Sequence, residues 1–240
     1  MKDNIYNTEQ ESVEKFTFDQ KVVSVFPDMI SRSVPGYKDL VSMIGTISAK
    51  FAETGTNIYD LGCSLGACSF AISANNPDFD GKIIAVDNSE PMICEFRNVL
   101  QEAETTAEII PTLGDVREIE ISNASFVAMN LTLQFIAPED RESVIKNIFR
   151  GMNPNSAFVL SEKITFDSET EENTIHELLF NYKRCRGYSD LEVRQKREAL
   201  ENILIAETFE EHKKRLKSAG FSEVYQWFQN LNFISIIAIK

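Results

Sequence analysis

Gly62, Cys63, Ser64 and Asp87 are the residues whose types and spacing could do chemistry together. Gly62 opens the run Gly62-Cys-Ser-Leu-Gly66, and Asp87 closes the apolar stretch Lys82-Ile-Ile-Ala-Val-Asp87, 25 residues further on. Small residues let the backbone approach a ligand closely, and a carboxylate ending the next strand can accept hydrogen bonds from two ribose hydroxyls. Asn88 stands beside that acid. The run is not Gly-x-Gly-x-x-Gly and holds no Lys to grip a phosphate. The pattern therefore describes a nucleoside without a pyrophosphate, which points to S-adenosylmethionine.

Alternating elements must position these residues. Asn57 to Leu61 reads as a buried strand that breaks into the glycine run and opens a helix at Ala67. Strands are expected near 57–61, 82–86, 107–110, 125–130 and 157–162, and helices near 66–75, 90–103 and 139–151. Strands separated by helical patterns of this length indicate a parallel sheet with right-handed crossovers. The last two strands, from Gly220 and from Asn232, lie too close for a crossover and read as an antiparallel hairpin. The expected architecture is an α/β Rossmann-like class I methyltransferase fold, with a mostly parallel seven-stranded sheet ending in that hairpin.

One S-adenosylmethionine-binding domain is expected over residues 1–240. It divides into an N-terminal helical cap at 1–55, a core at 56–165, a charged helical insertion at 166–216 and the hairpin at 217–240. Residues 1 to about 20 are polar and charged and expected to pack late or fray. Val22 to Tyr37 reads as a mixed segment interrupted by Pro27 and Pro35, followed by a helix from Lys38 to Glu53.

Two further positions follow from where this fold places its ligand. Asp115 and Val116, in Leu113-Gly-Asp-Val116, fall in the loop that holds adenine, the acid accepting from the exocyclic amine and the next N–H meeting a ring nitrogen. Asn130 ends the apolar run from Phe126, at the carboxyl end of a parallel strand where binding groups collect.

Composition narrows the partners. Acidic residues outnumber basic ones 37 to 24, for a net charge of −13, which disfavours holding RNA or DNA directly. No apolar run approaches the ~20 residues of a membrane span, and the first ten residues lack a secretory apolar region, so a cytoplasmic protein is expected. Cys63, Cys68, Cys94 and Cys185 fit no metal-ligand spacing and read as reduced core thiols; no metal site is expected. His176 and His212 stand in polar helical sequence and read as exposed.

The chain as a whole resembles the carboxy-S-adenosylmethionine synthases. The matching stretches are Val25-Phe-Pro-Asp-Met-Ile-Ser-Arg-Ser-Val-Pro-Gly-Tyr37, Tyr59 to Ala67, Asp87-Asn-Ser, Asn130 to Phe135, Leu160-Ser-Glu-Lys163, Arg186 to Val193, Gln195-Lys-Arg197, Leu200-Glu-Asn and Trp227-Phe-Gln. Phe-Pro-Asp-Met-Ile together with Gln-Lys-Arg and Trp-Phe-Gln is the specific part, because the glycine run occurs in many methyltransferases. The chain departs from the family pattern at Asn230-Leu-Asn-Phe233 and at Cys185-Arg186.

The resemblance implies a reaction between S-adenosylmethionine and prephenate, yielding carboxy-S-adenosylmethionine and phenylpyruvate. It implies a homodimer, and a tRNA carboxymethyltransferase that uses the product on the wobble uridine. It also makes Tyr37 a wall of the cofactor site. Arg197 would be the catalytic cation, because an added carboxylate buried near the sulfonium needs one and a guanidinium matches it with two prongs. Without the resemblance, Arg197 in Gln-Lys-Arg-Glu would read as a solvated helix residue. Two alternatives stay open: a conventional methyltransferase acting on a small molecule or RNA, and a non-catalytic binder of the nucleoside.

Overall fold

The computed structural model describes all 240 residues. Its sheet contains β1 (Asn57–Leu61), β2 (Lys82–Asp87), β3 (Glu108–Leu113), β4 (Ala124–Asn130), β5 (Met152–Lys163), β6 (Glu223–Asn230) and β7 (Phe233–Ile239). The spatial order is β3-β2-β1-β4-β5-β7-β6. Strands β1 to β5 pair in parallel, and β7 runs antiparallel to both β5 and β6. The expected fold class is the one observed. After β1 the chain steps outward to β2 and β3, then returns to lay β4 on the other side of β1. That reversal opens a crevice at the carboxyl ends of β1 and β4, where open α/β sheets bind ligands.

Helices cover both faces. These are α1 (Gln20–Ser33), α2 (Tyr37–Phe51), α3 (Ala67–Asn75), α4 (Glu90–Glu102), α5 (Pro138–Gly151), α6 (Glu169–Cys185), α7 (Asp190–Leu200) and α8 (Phe209–Ala219). One core joins Val127, Met129, Phe158 and Leu160 to Val144, Ile148 and Phe221. The other joins Ile58, Ile83, Phe126 and Val159 to Leu40, Ile44, Ile72 and Phe96. β4 is buried from Ala124 to Met129, as a strand covered on both faces must be.

Several expectations are corrected. Pro27 does not break the second segment: α1 runs through it, capped by the Asp19 side chain and held by buried Val22, Val23, Val25 and Met29. One missing N–H is the cost of that proline, and apolar packing on both sides outweighs it. The N-terminal residues do not fray. Asp3, Tyr6 and Phe16 are buried, and the strap they form lies on α7 through Phe16 N–H to Ala199 O (2.9 Å) and Gln10 N–H to Gln195 Oε1 (2.8 Å). His212 is buried: it lies on α8, on the same inward face as Leu216. Of the cysteines, Cys94 and Cys185 are exposed.

Candidate functional site

The loop between β1 and α3 is shaped by three left-handed residues, Gly62 at φ 77°, Ser64 at φ 50° and Gly66 at φ 82°. A Cβ on Gly62 would stand 2.0 Å from Thr132 Oγ1, so only glycine fits between the β1 and β4 loops. The Asp87 carboxylate accepts Ser64 N–H at 2.8 Å and Ser89 N–H at 2.9 Å. Burial raises its pKa above the ordinary carboxylate range, and these N–H groups oppose the rise. Ser89 also caps α4, so one turn fixes both the acid and the helix behind it.

A cavity of about 320 Å³ opens over these loops, within the size range of small-molecule sites. Its lining includes Tyr37, Gly62, Cys63, Ser64, Asp87, Asn88, Asp115, Val116 and Asn130. The structure thus brings together nine of the ten residues singled out from the sequence. Arg197 is the tenth: it is exposed on α7 and outside the lining, yet its positive charge reaches Lys163 and Lys183.

Two details refine the nucleoside end. Asp115 is gripped by Arg117, with Nε to Oδ1 at 3.0 Å and Nη2 to Oδ2 at 2.6 Å, which holds its carboxyl below the usual range. The acid is therefore shared between Arg117 and any amine it receives. Val116 is buried and its N–H meets no protein acceptor, so that donor is free. At the other end, Asn130 Oδ1 is buried without a hydrogen-bond partner. Such a group calls for a donor, and the ammonium of a bound sulfonium amino acid would supply one.

Sequence reasoning missed several lining residues. Asp60 lies inside β1, fully buried, accepting Ser69 Oγ–H at 2.6 Å; burial pushes its carboxyl up to about 6. An acid within the apolar strand Asn57–Leu61 was the available signal. Lys163, Lys183 and Lys196 also line the cavity, from β5, α6 and α7. Nothing in their local sequence separates them from solvated lysines. Glu162 positions the loop above: its buried carboxylate accepts Thr132, Leu133 and Gln134 N–H at 3.2, 2.8 and 2.9 Å. Burial still pushes the Glu162 carboxyl up to about 8.

No group of three or more His, Cys, Asp or Glu residues lies together to hold a metal, and no helix is long and apolar enough to cross a membrane.

Comparison with known proteins agrees with this geometry. Residues 58–155 match the family model of a methyltransferase domain. A solved putative S-adenosyl-L-methionine-dependent methyltransferase from Methanococcus maripaludis superposes with a TM-score of 0.59 at 19% identity, covering 95% of this chain and 96% of that one. Human N-acetylserotonin methyltransferase in complex with S-adenosylmethionine gives 0.62 at 15% identity, over 92% of this chain and 55% of its own. At these identities the likeness shows the fold. Sequence relatives go further. The carboxy-S-adenosyl-L-methionine synthase of Haemophilus ducreyi is 45% identical over 239 residues, 100% of this chain and 98% of that protein. The synthase of Mannheimia succiniciproducens is 46% identical over 239 residues, 100% of this chain and 99% of its own length. With the glycine loop, the carboxylate at the end of β2 and the cavity in place, identity of this extent along the whole chain makes the protein a member of the carboxy-S-adenosyl-L-methionine synthase family.

Proposed function

We propose that this protein converts S-adenosylmethionine and prephenate to carboxy-S-adenosylmethionine and phenylpyruvate. The observation that carries the reading is that Asp87, the acid read as holding the ribose, lines the same cavity as a wall of cations, Lys163, Lys183 and Lys196, in a chain of net charge −13. An acceptor for simple methyl transfer does not require such a wall. A dianionic second substrate does.

Each group has a task in this reading. Asp87 and Asn88 hold the ribose, Asp115 and Val116 the adenine, and Gly62 to Ser64 admit the amino-acid half close to the backbone. Tyr37 and Asn130 border the sulfonium end. Prephenate loses its ring carboxyl as carbon dioxide and its ring hydroxyl as hydroxide, becoming phenylpyruvate. The hydroxide takes one proton from the sulfonium methyl, forming water, and the carbon left with the electron pair bonds to carbon dioxide. The balance needs no protein base. The chain's contribution is alignment of the methyl beside the departing carbon dioxide and exclusion of water. Phe16, Phe18, Phe26 and Phe135 line the cavity for that purpose. Arg197 is proposed to meet the carboxylate of the product, in a homodimer that feeds a tRNA wobble-uridine carboxymethyltransferase in the cytoplasm.

Mass spectrometry of the nucleoside made from S-adenosylmethionine and prephenate tests this. The expected product is heavier than S-adenosylmethionine by one carboxyl substituent and appears with phenylpyruvate. S-adenosylhomocysteine as the product would return the protein to ordinary methyl transfer. In Arg197→Ala, we expect S-adenosylmethionine to bind as before and carboxy-S-adenosylmethionine to lose its preference by about ten-fold or more.

A further inference from the structure

Among the cations lining the cavity, Arg117 is paired with Asp115 and Asp140, and Lys196 faces Asp3 at 3.7 Å and donates to Ser33 Oγ at 3.0 Å. Lys163 and Lys183 differ. Neither forms an ion pair within 4.0 Å, and neither ammonium donates a hydrogen bond to the protein. Both are half-buried, at the end of β5 and on the inward side of α6.

Their surroundings compensate Lys163 only in part, through Glu172, and Lys183 not at all. The charged and titratable groups facing Lys163 are Glu172, His176 and Lys183 of α6 and Arg197 of α7. Glu172 is already committed, accepting Phe166 N–H at 2.9 Å and pairing with His176 at 3.0 Å. Lys183 is faced by Lys196 and Arg197 of α7 and by Lys163 of β5, all cations. Burial, reinforced by this repulsion, pushes the Lys183 ammonium down to about 7. Removing charges from water without a partner is expensive. The chain has 37 acidic residues and sets none of them within ion-pairing distance of either lysine. The walls beside the pair are apolar: Ile30, Val34, Leu179 and Phe233. A ligand that completes this corner carries its anionic group on a hydrophobic body.

We propose that Lys163 and Lys183 bind the carboxylate that the second substrate keeps, the 2-keto acid end, and so orient the carboxyl it gives up. The assignment rests on the synthase reading above and extends it to a specific pair of residues. Chemistry distinguishes the two carboxyl groups of such a substrate. The one transferred leaves as neutral carbon dioxide, and two ammonium groups gripping it would stabilise the ground state and raise the barrier. The keto acid carboxylate stays ionised from substrate to product, so holding it costs the reaction nothing.

Calorimetric titration of phenylpyruvate into the full-length protein saturated with S-adenosylmethionine, with steady-state kinetics on prephenate, tests the pair. In Lys163→Met and in Lys183→Met, the phenylpyruvate Kd and the prephenate KM are expected to rise at least about ten-fold. The S-adenosylmethionine Kd should stay within about two-fold, since these residues lie away from the nucleoside end. Each variant should melt no lower than wild type, because an uncompensated buried charge has been removed. Lys183→Arg should recover part of the loss. Unchanged phenylpyruvate Kd and prephenate KM in both methionine variants would overturn the assignment, as would an equal weakening of S-adenosylmethionine. If wild type makes no carboxy-S-adenosylmethionine, the synthase reading fails; the phenylpyruvate titration then decides the pair alone, and no binding to wild type overturns it too.

Discussion

The Tyr188 hydroxyl donates to the Asp3 carboxylate at 2.5 Å, joining the start of the chain to the loop before α7. Asp3 also faces Lys196, and its carbonyl accepts Arg32 Nη2 at 2.7 Å. Arg32 in turn stacks over the Tyr188 ring, with the guanidinium 3.9 Å from its centroid. The strap that carries Phe16 and Phe18 into the cavity is thus anchored at a buried polar knot.

Breaking that knot should loosen the strap and not the sheet. Asp3→Ala leaves Lys196 buried without its acid, and the expected loss of stability is about 3 kcal/mol. Hydrogen exchange should show residues 1–18 losing protection while β1, β4 and β5 keep theirs. Uniform loss over the whole chain would count against a separate strap.

Gly62→Ala should abolish tight binding of S-adenosylmethionine in a protein that still folds. The position combines φ 77° with a Cβ direction that would put a methyl 2.0 Å from Thr132 Oγ1, so the β1 and β4 loops must separate. An affinity loss of about 30-fold is expected from backbone strain alone. Calorimetry with S-adenosylmethionine checks it, with circular dichroism to establish folding. Thr132→Ala on the same background should not restore binding, because the strained φ remains.

His212 gives stability a pH dependence with a definite sign. Burial is the main cause holding its imidazole down to about 4; among its charged neighbours, Arg215 and Arg141 lower it further, while Glu207 and Glu211 oppose. Above about pH 6.5 the ring is neutral in both folded and unfolded chains, and its contribution is complete. As pH falls from about 6.5 to about 4 the unfolded chain takes up the proton first, and up to about 3 kcal/mol is lost. Urea midpoints at pH 7.5 and pH 5 should therefore differ less in His212→Leu than in wild type.

Anion affinity should fall as pH rises. Lys183, buried among further cations, sits down at about 7; Lys196 sits at about 8, lowered by burial and by Arg32 while Asp3 and Asp28 oppose. Phenylpyruvate binding is expected to weaken between pH 7 and pH 9, and a bound carboxylate should draw the Lys183 value upward. A flat profile in wild type over that range would sever the link between these ammonium groups and the ligand.

The parts of this site legible in the sequence are those fixed by backbone constraints. Glycine at Gly62 and an acid at the end of β2 are dictated locally, and the parallel sheet follows from strand and helix periods. The hairpin followed from a short connection. Lys163, Lys183 and Asp60 were not legible as site residues, because their meaning depends on which helix faces which strand. Pro27 misled for the same reason: a local breaker signal gave way to buried valines on both sides of it. The polar look of residues 1–20 concealed Asp3 and Phe16, whose partners lie on α7 and in the loop before it.

That distance has a consequence for biosynthesis. Asp3 leaves the ribosome 185 positions ahead of Tyr188. During translation the strap can meet α1 and α4 early, but its seat stays incomplete until Tyr188 and α7 have been made. The glycine loop, β1, β2 and β4 can assemble well before that moment. The roof over the cavity therefore closes only once α7 is made, and a nascent chain stalled before Tyr188 would leave Phe16 without its partner Ala199, a hydrophobic flag for chaperones.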